Sequence, residues 1–428
     1  MKGWIEKRLK FVATYNDESL PETTDPDYAI EYVDISSVNL IEGIVCTEDL
    51  VFEKAPSRAR RLVQHGDTIV STVRTYLKAI APIYSPPSNL VVSTGFAVIR
   101  PANEIDSRYM AYVLQSKPFV DTVVANSTGV SYPAISPSRL VCIRIRLPRV
   151  LAEQHQIADF LDWKTGQIDR LIAKKRALVS ALSEKRMAVI TQAVTRGLDP
   201  TVPMKDSGIN WLGKVPKHWP VVRVKFVADM DSGHTPSRTQ PENWIPDECV
   251  IPWVSLNDTK YLKKHDLISD TSVKISETGM ANSTAHLLPS ETVVFTRDAT
   301  IGLTAITAMP MAVSQHIIAF TPREGLTAKF LHRCFQAMRQ ELESYTFGST
   351  LKTIGMPDVK KLAIAVPPDS EQQDIVEHIE SETNRIDRVI LATEAAINRL
   401  TEYRTALITA ATTGKIDVRD IEIPGQSG

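Results

Sequence analysis

Apolar residues alternate with polar ones, or fall in short unbroken runs, over most of the chain. In two long stretches they recur every three or four positions instead. The short runs "DTIVSTV", "FAVIRP", "ETVVFT" and "QHIIAFTP" are separated by Gly, Pro, Ser and Asn. They predict strands punctuated by turns. One short helix is predicted after the last strand of each half, "DSRYMAYVLQS" from Asp106 and "TAKFLHRCFQAMRQELES" from Thr327, with Asp106 and Thr327 as N-caps. The longer period predicts two coiled-coil helices, each roughly 60 Å long at 1.5 Å per residue. Their apolar seams are read as Ile157, Leu161, Ile168, Leu171, Leu178, Leu182 and Val189, and as Ile375, Ile379, Ile386, Val389, Ala396, Leu400 and Leu407. Polar residues interrupt them at Lys164 and Lys175, and at Glu382 and Thr393.

The two long helices are copies. "QIDRLIAKKRALVSALSEKRMAVIT" (Gln167 to Thr191) aligns without a gap on "RIDRVILATEAAINRLTEYRTALIT" (Arg385 to Thr409), sharing Ile-Asp-Arg, Leu-x-Glu-x-Arg and Ala-x-Ile-Thr. Each copy opens on Glu-Gln, "EQHQI" at Glu153 and "EQQDI" at Glu371, after an apolar strand closed by proline at Pro148 or Pro367. The repeat reaches further back. "WIEKRLKFVA" from Trp4 matches "WPVVRVKFVA" from Trp219, "YVDIS" from Tyr32 aligns with "WVSLN" from Trp253, "GDTIVST" from Gly66 resembles "SETVVFT" from Ser290, and "VSTGFAVIRP" from Val92 aligns with "VSQHIIAFTP" from Val313. The segments between these do not resemble each other. The chain is a tandem duplication in which the frame persists and the filling has diverged.

Charge refines this picture. The first helical stretch (151–198) holds eight Lys/Arg against five Asp/Glu, and the second (367–416) five against nine. Opposite net charges favour pairing the helices with each other. A helix after each globular part then implies antiparallel packing, a dumbbell of approximate two-fold symmetry.

With 428 residues, 43% apolar composition and a formal net charge of -1, the whole chain neither demands nor excludes nucleic acid. The four cysteines, Cys46, Cys142, Cys249 and Cys334, form no Cys-x-x-Cys motif and are expected to be buried reduced thiols. "MKGWIEKRLK" lacks an apolar signal core, and no stretch approaches the ~18 apolar residues of a membrane span. A soluble cytoplasmic protein without membrane association is expected.

Catalytic motifs are missing. Gly414-Lys415 lacks the upstream glycine of a phosphate loop, no Gly-x-Gly-x-x-Gly or Gly-x-Ser-x-Gly occurs, and "SPPS" at Ser85 lacks the Asn or Asp and the aromatic residue of an amino-methyltransferase site. The histidines have no metal-ligand spacing. No catalytic, metal or cofactor-binding residue is therefore assigned. Basic clusters instead suggest duplex DNA. Arg58, Arg60 and Arg61 lie together. Thr72, Arg74 and Lys78 follow a strand, as Thr296 and Arg297 do in the second copy, where Arg297 stands at nearly the place of Arg74. Lys260, Lys263 and Lys264 form a further cluster. The small polar loops "ANSTGVSYPAI" and "TFGSTLKTI" add Ser131 and Lys352. Such side chains suit phosphates and base edges.

These residues carry a resemblance. "DSGINWLGKVPKHW", "STGFAVIRP", "PPDSEQQDIVEHIESETNRIDRVI" and "LITAATTGKIDV" make the chain similar, over essentially its whole length, to the specificity subunits of Type I restriction–modification enzymes. The first copy lacks the "SGINWLG" lead-in of the second. The resemblance implies an α+β fold: two α/β target-recognition domains (1–150 and 219–366), each followed by a spacer helix (151–197 and 367–415), with a linker at 198–218 and a tail at 416–428. The helices would pair as an antiparallel coiled coil, with Ile157, Leu161, Ile168, Leu182, Ile375, Ile379, Ile386 and Leu400 in the spacer and docking surface. It implies a non-catalytic subunit in which each domain reads half of a bipartite site in double-stranded DNA. It further implies two modification subunits that supply S-adenosylmethionine and base flipping, and restriction (motor-nuclease) subunits for cleavage. A stand-alone enzyme and a two-ended protein scaffold are the competing readings.

Overall fold

The computed structural model describes residues 3–347, 353–419 and 421–424. The long helices are Leu151–Arg196 and Asp369–Thr412. The chain divides into two compact units: residues 1–177 with 393–428, and residues 178–392. Each unit thus holds one globular part, the start of the helix that follows it, and the end of the other long helix.

In unit 1, one sheet orders Ala13–Tyr15, Phe96–Pro101, Thr68–Ser71 and Ile80–Pro82, all antiparallel. A second sheet orders Glu48–Val51, Ala29–Val33, Leu90–Ser93 and Ala59–Leu62. Successive residues of a strand face opposite sides. Ile69 and Val98 enter a cluster with Val33 and Val92 of the second sheet, whereas Val70 and Ile99 enter one with helix residues Tyr109, Leu114, Ile157 and Leu161. The first sheet is therefore covered on both faces, and its strands read as unbroken apolar runs for that reason. Trp4–Arg8 pairs with Arg144–Pro148, beside the start of the long helix.

Unit 2 repeats the layers. Ala228–Ser232, Ile317–Pro322, Val293–Thr296, Thr304–Thr307 and Leu267–Ile268 form one sheet, and Lys274–Ser276, Cys249–Val254 and Ala312–Val313 another. Phe295 and Phe320 pack on helix Ala328–Ala337, while Val294 and Ala319 pack on the other side with Val254 and Val313. The stretch 198–218 is folded onto this unit: Met204–Asp206 pairs with Lys214–Pro216, and Leu212 and Val215 are core residues. In unit 1, Val418 fills the core beside Ile408 and Ala411.

The repeated motifs are the joints of this frame. The Trp4 indole donates to Glu153 at 3.0 Å, and the Trp219 indole to Glu371 at 3.0 Å. The next residue, Gln154 or Gln372, is almost fully buried. Its amide oxygen accepts from the backbone N–H of Asp106 or Thr327, and its amide nitrogen donates to the carbonyl of Pro148 or Pro367. Asp106 and Thr327 are indeed N-caps, accepting from the N–H of Tyr109 and Phe330. One glutamine thus ties the last strand, the short helix and the long helix together.

Within unit 1 the Arg404 guanidinium donates to Asp169 at 2.9 Å; within unit 2 Arg186 donates to Asp387 at 3.0 Å. The long helices run antiparallel in both. The partners are the Asp of Ile-Asp-Arg and the Arg of Leu-x-Glu-x-Arg, once from each copy. The pair would look the same between two copies of either helix, so it fixes register rather than choosing a partner.

The seam differs from the expected one. Ile157, Leu161, Ile168, Ile375, Ile379 and Ile386 are buried and Leu182 and Leu400 half-buried, but Leu171, Leu178 and Val389 are 44%, 45% and 44% exposed. The least exposed line, buried or half-buried throughout, runs instead through Thr165, Ile168, Ile172, Lys175, Val179, Leu182 and Arg186, and through Thr383, Ile386, Ile390, Thr393, Ile397, Leu400 and Arg404. Thr165 and Thr383, rather than Lys164 and Glu382, occupy it because their hydroxyls donate back to the carbonyls of Leu161 and Ile379. The cysteines also depart from expectation. All four are unpaired, but Cys46 and Cys142 are exposed, Cys249 is half-buried and only Cys334 is buried. Cys46 and Cys142 lie outside the strands and helices, where no core closes over them.

Replacing Gln372 by Ala strips partners from the Thr327 N–H and the Pro367 and Gly325 carbonyls. The expected loss is about 2–3 kcal/mol, read as a fall in melting temperature. The exposed neighbour substitution Gln373→Ala should stay within about 0.5 kcal/mol of the parent.

Candidate nucleic-acid interface

In unit 1 the hairpin between Thr68–Ser71 and Ile80–Pro82 ends in a turn with two left-handed residues, Arg74 (φ 50°) and Lys78 (φ 53°), flanking Thr75–Leu77. This backbone turns Arg74, Tyr76, Leu77 and Lys78 to solvent. The loop from Ser127 to Ala134 is stitched to it. Val73 and Thr128 both bridge to Ala134, the Ile135 N–H donates to the Thr72 carbonyl at 2.8 Å, and the Thr75 and Ser127 hydroxyls lie 2.8 Å apart. The Arg74 guanidinium sits 4.8 Å from the Tyr132 ring centroid. Arg74, Lys78 and Ser131 are thereby brought onto one surface. Tyr76, Leu77, Val130, Tyr132 and the exposed Arg139 belong to the same pair of loops and their flank, and charge clustering alone did not single them out.

The other unit 1 candidates lie elsewhere. Arg58 donates to the Tyr32 hydroxyl and to Asp34, which together push its pKa up. Arg60 lies over the Phe52 ring, 4.4 Å from its centroid, and Arg61 is half-buried with an unpartnered Nε. Thr72 is buried and donates to the Gly95 carbonyl at 2.8 Å, so its hydroxyl holds the frame instead of facing solvent.

Unit 2 corrects the pairing of Arg74 with Arg297. The Arg297 N–H donates to the His316 carbonyl, and its own carbonyl accepts from Ile354, as Thr72 does with Gly95 and Ile135. Asp298 bridges to Thr353 as Val73 does to Ala134. Arg297 therefore corresponds to Thr72. Arg74 corresponds to Ala299 (φ 63°), and Lys78 to Gly302 (φ 77°). Arg297 is half-buried with an unpartnered Nε, and Thr296 is fully buried, its hydroxyl bonded to the Thr300 and Leu303 carbonyls. Lys352 lies outside the described residues. Lys260, Lys263 and Lys264 are exposed on one turn that Ser255 and Asp258 cap, beside Tyr261 and His265 stacked at 4.2 Å. Arg238, over Trp244 at 5.1 Å, is another exposed cation the sequence reading passed over.

One arrangement has the residue types of a hydrolytic triad. Thr304 is 3.0 Å from His332 Nδ1, and His332 Nε2 is 3.1 Å from Asp266. Burial works to raise the Asp266 pKa, but the His332 hydrogen bond and the Arg333 charge hold it well below the usual carboxylate range; burial pushes His332 down. Thr304 and His332 are 5% and 1% exposed, so no substrate reaches the hydroxyl. The network anchors helix Ala328–Ala337 to the sheet.

Among the described residues no cluster of His, Cys, Asp and Glu could hold a metal ion, and no helix is long and apolar enough to cross a membrane. Residues 1–179 and 216–398 match the family described as the Type I restriction modification DNA specificity domain. The chain is 21% identical over 418 residues to the HindI specificity subunit of Haemophilus influenzae, covering 84% of this chain and 89% of that one. It is 21% identical to the EcoKI specificity subunit of Escherichia coli, covering 94% and 87%. A 29% identical match to the MjaIX specificity subunit of Methanocaldococcus jannaschii spans 38% of each. A solved chain from work on "complex assembly and conformational transition of the type I R-M system" superposes with a TM-score of 0.72 at 21% identity, over 97% of this chain and 99% of that one. With the family matched over most of its length, the chain belongs to the specificity subunits of Type I restriction–modification systems, the non-catalytic subunits that recognise the DNA target.

Proposed function

We propose that each unit reads one half of a bipartite site in double-stranded DNA, and that the long helices set the gap between the halves. The carrying observation is a frame that recurs bond for bond while the tips hung on it differ: Arg74 against Ala299, Lys78 against Gly302. A protein that only held two partners apart would need no such difference, which disfavours the scaffold reading. Two modification subunits dock on the helices, where Leu171, Leu178, Leu391 and Tyr403 are exposed apolar side chains. Those subunits bind S-adenosylmethionine and extrude the target base. This chain then needs no cofactor of its own. Restriction subunits join for cleavage, and the complex works in the cytoplasm.

Exchanging residues 14–135 for an unrelated filling tests the reading. Methylome sequencing should show one half-site changed and the other kept; an unchanged motif overturns it. Four residues inserted in each long helix add about 6 Å, roughly two base pairs of rise. The gap should lengthen while both half-sites stay the same. Arg74→Ala should weaken DNA binding and lower the slope of log K against log salt by about 0.9 if the guanidinium meets a phosphate. Thr296→Val should leave that slope alone and cost about 1 kcal/mol in stability.

A further inference from the structure

Four apolar side chains stand in water on the paired loops of unit 1. Tyr76 is 52% exposed, Leu77 45%, Tyr132 64%, and Val130 is wholly exposed. Scattered surface apolar residues need no explanation, but a group on one tip does. The loop is not slack. Its base is closed by the Thr128–Ala134 and Val73–Ala134 bridges and the Thr75–Ser127 hydrogen bond. Gly129 takes φ 115°, and a Cβ there would come within 3.1 Å of the Tyr132 carbonyl, so the turn that lifts Val130 to the apex requires glycine. Tyr132 follows two residues later, and Arg74 lies over its ring.

The surroundings identify the occupant. Arg74 and Lys78 extend from the adjoining turn, and Arg139 is held at the foot of the loop by Asn126. Exposed cations around apolar and aromatic groups suit a polyanion whose interior is apolar, which describes stacked base pairs between phosphate chains. Val130 offers no hydrogen-bonding group, so it reads no base edge by donor or acceptor. We propose that Val130 and Tyr132 form an apolar wedge that enters the base stack of the half-site read by unit 1, with Arg74 and Lys78 neutralising the flanking phosphates. This rests on the DNA-reading function above and adds a local distortion of the duplex at the half-site read by unit 1, where Arg74 and Lys78 stand in place of Ala299 and Gly302 of unit 2.

The test uses the chain assembled with its modification subunits and a duplex bearing the motif found by methylome sequencing. 2-Aminopurine is placed in turn at each position of both half-sites except the methylated base; the 14–135 exchange identifies the unit 1 half-site. Base extrusion by the modification subunits raises fluorescence beside the methylated base of either half-site; the wedge should add a separate rise at one or two other steps of the unit 1 half-site. Val130→Ser/Tyr132→Ala should abolish the rise and weaken binding roughly tenfold, the scale of one lost stacking contact. Its melting temperature should be unchanged, because both side chains are exposed. No separate rise away from the methylated base in the parent complex, or one that the double variant keeps, overturns the wedge. So does a loss of affinity on replacing thymine by uracil with no fluorescence change, which would place Val130 against a thymine methyl in the groove. So does a double variant that binds DNA normally but no longer assembles with the modification subunits. If the parent complex fails to prefer the motif over a scrambled duplex, the DNA-reading function itself fails, and the wedge with it.

Discussion

The fold depends on what a buried glutamine amide can do. Gln154 and Gln372 stand at the second position of the repeated Glu-Gln, 1% and 0% exposed, and their polar atoms cannot turn to water. Each bonds to backbone from the last strand and from the cap of the short helix. A buried amide left unsatisfied costs about 1–3 kcal/mol per group, so the long helix starts where those backbone groups converge. The neighbouring glutamate adds the tryptophan indole at the head of each globular part. Three pieces of chain far apart in sequence are oriented by two adjacent side chains, and this occurs twice.

With the start of each helix fixed, one ion pair in each unit fixes register. Side-chain burial is asymmetric: Arg404 is 10% exposed and Arg186 26%, while their aspartates are 37% and 43% exposed. The arginine is thus the partner that loses water, and its bond to the carboxylate compensates. Helices in the wrong register would bury that guanidinium without a partner. The penalty for mispairing, more than the strength of the pair, holds the alignment.

Much of this was legible in the sequence because repetition separates signal from filling. Motifs kept in two copies turned out to be joints: Trp with Glu, Gln with the caps, Asp with Arg. The caps at Asp106 and Thr327 and the strand runs needed only local chemistry. What failed needed information outside the local pattern. After Ile168 both Leu171 and Ile172 satisfy a step of three or four, and leucine is no worse a core residue than isoleucine, so spacing alone could not choose. Thr72 and Thr296 read as polar surface because a hydroxyl that bonds to a nearby carbonyl cannot be told from one that faces solvent. Arg297 was matched to Arg74 by residue type, whereas backbone hydrogen bonds match it to Thr72. The exposed tip at Val130 carries no charge, so basic clusters in the sequence do not mark it.

The turn at 74–78 has a further consequence. A left-handed conformation costs a residue with a Cβ roughly 1–2 kcal/mol relative to glycine, and unit 1 accepts it at both Arg74 and Lys78. Unit 2 accepts the same cost at Ala299 and relieves it with glycine at the second of these places, Gly302. The Lys78 backbone is thus strained where its counterpart is relaxed, a local cost that the shared frame of the two units does not require.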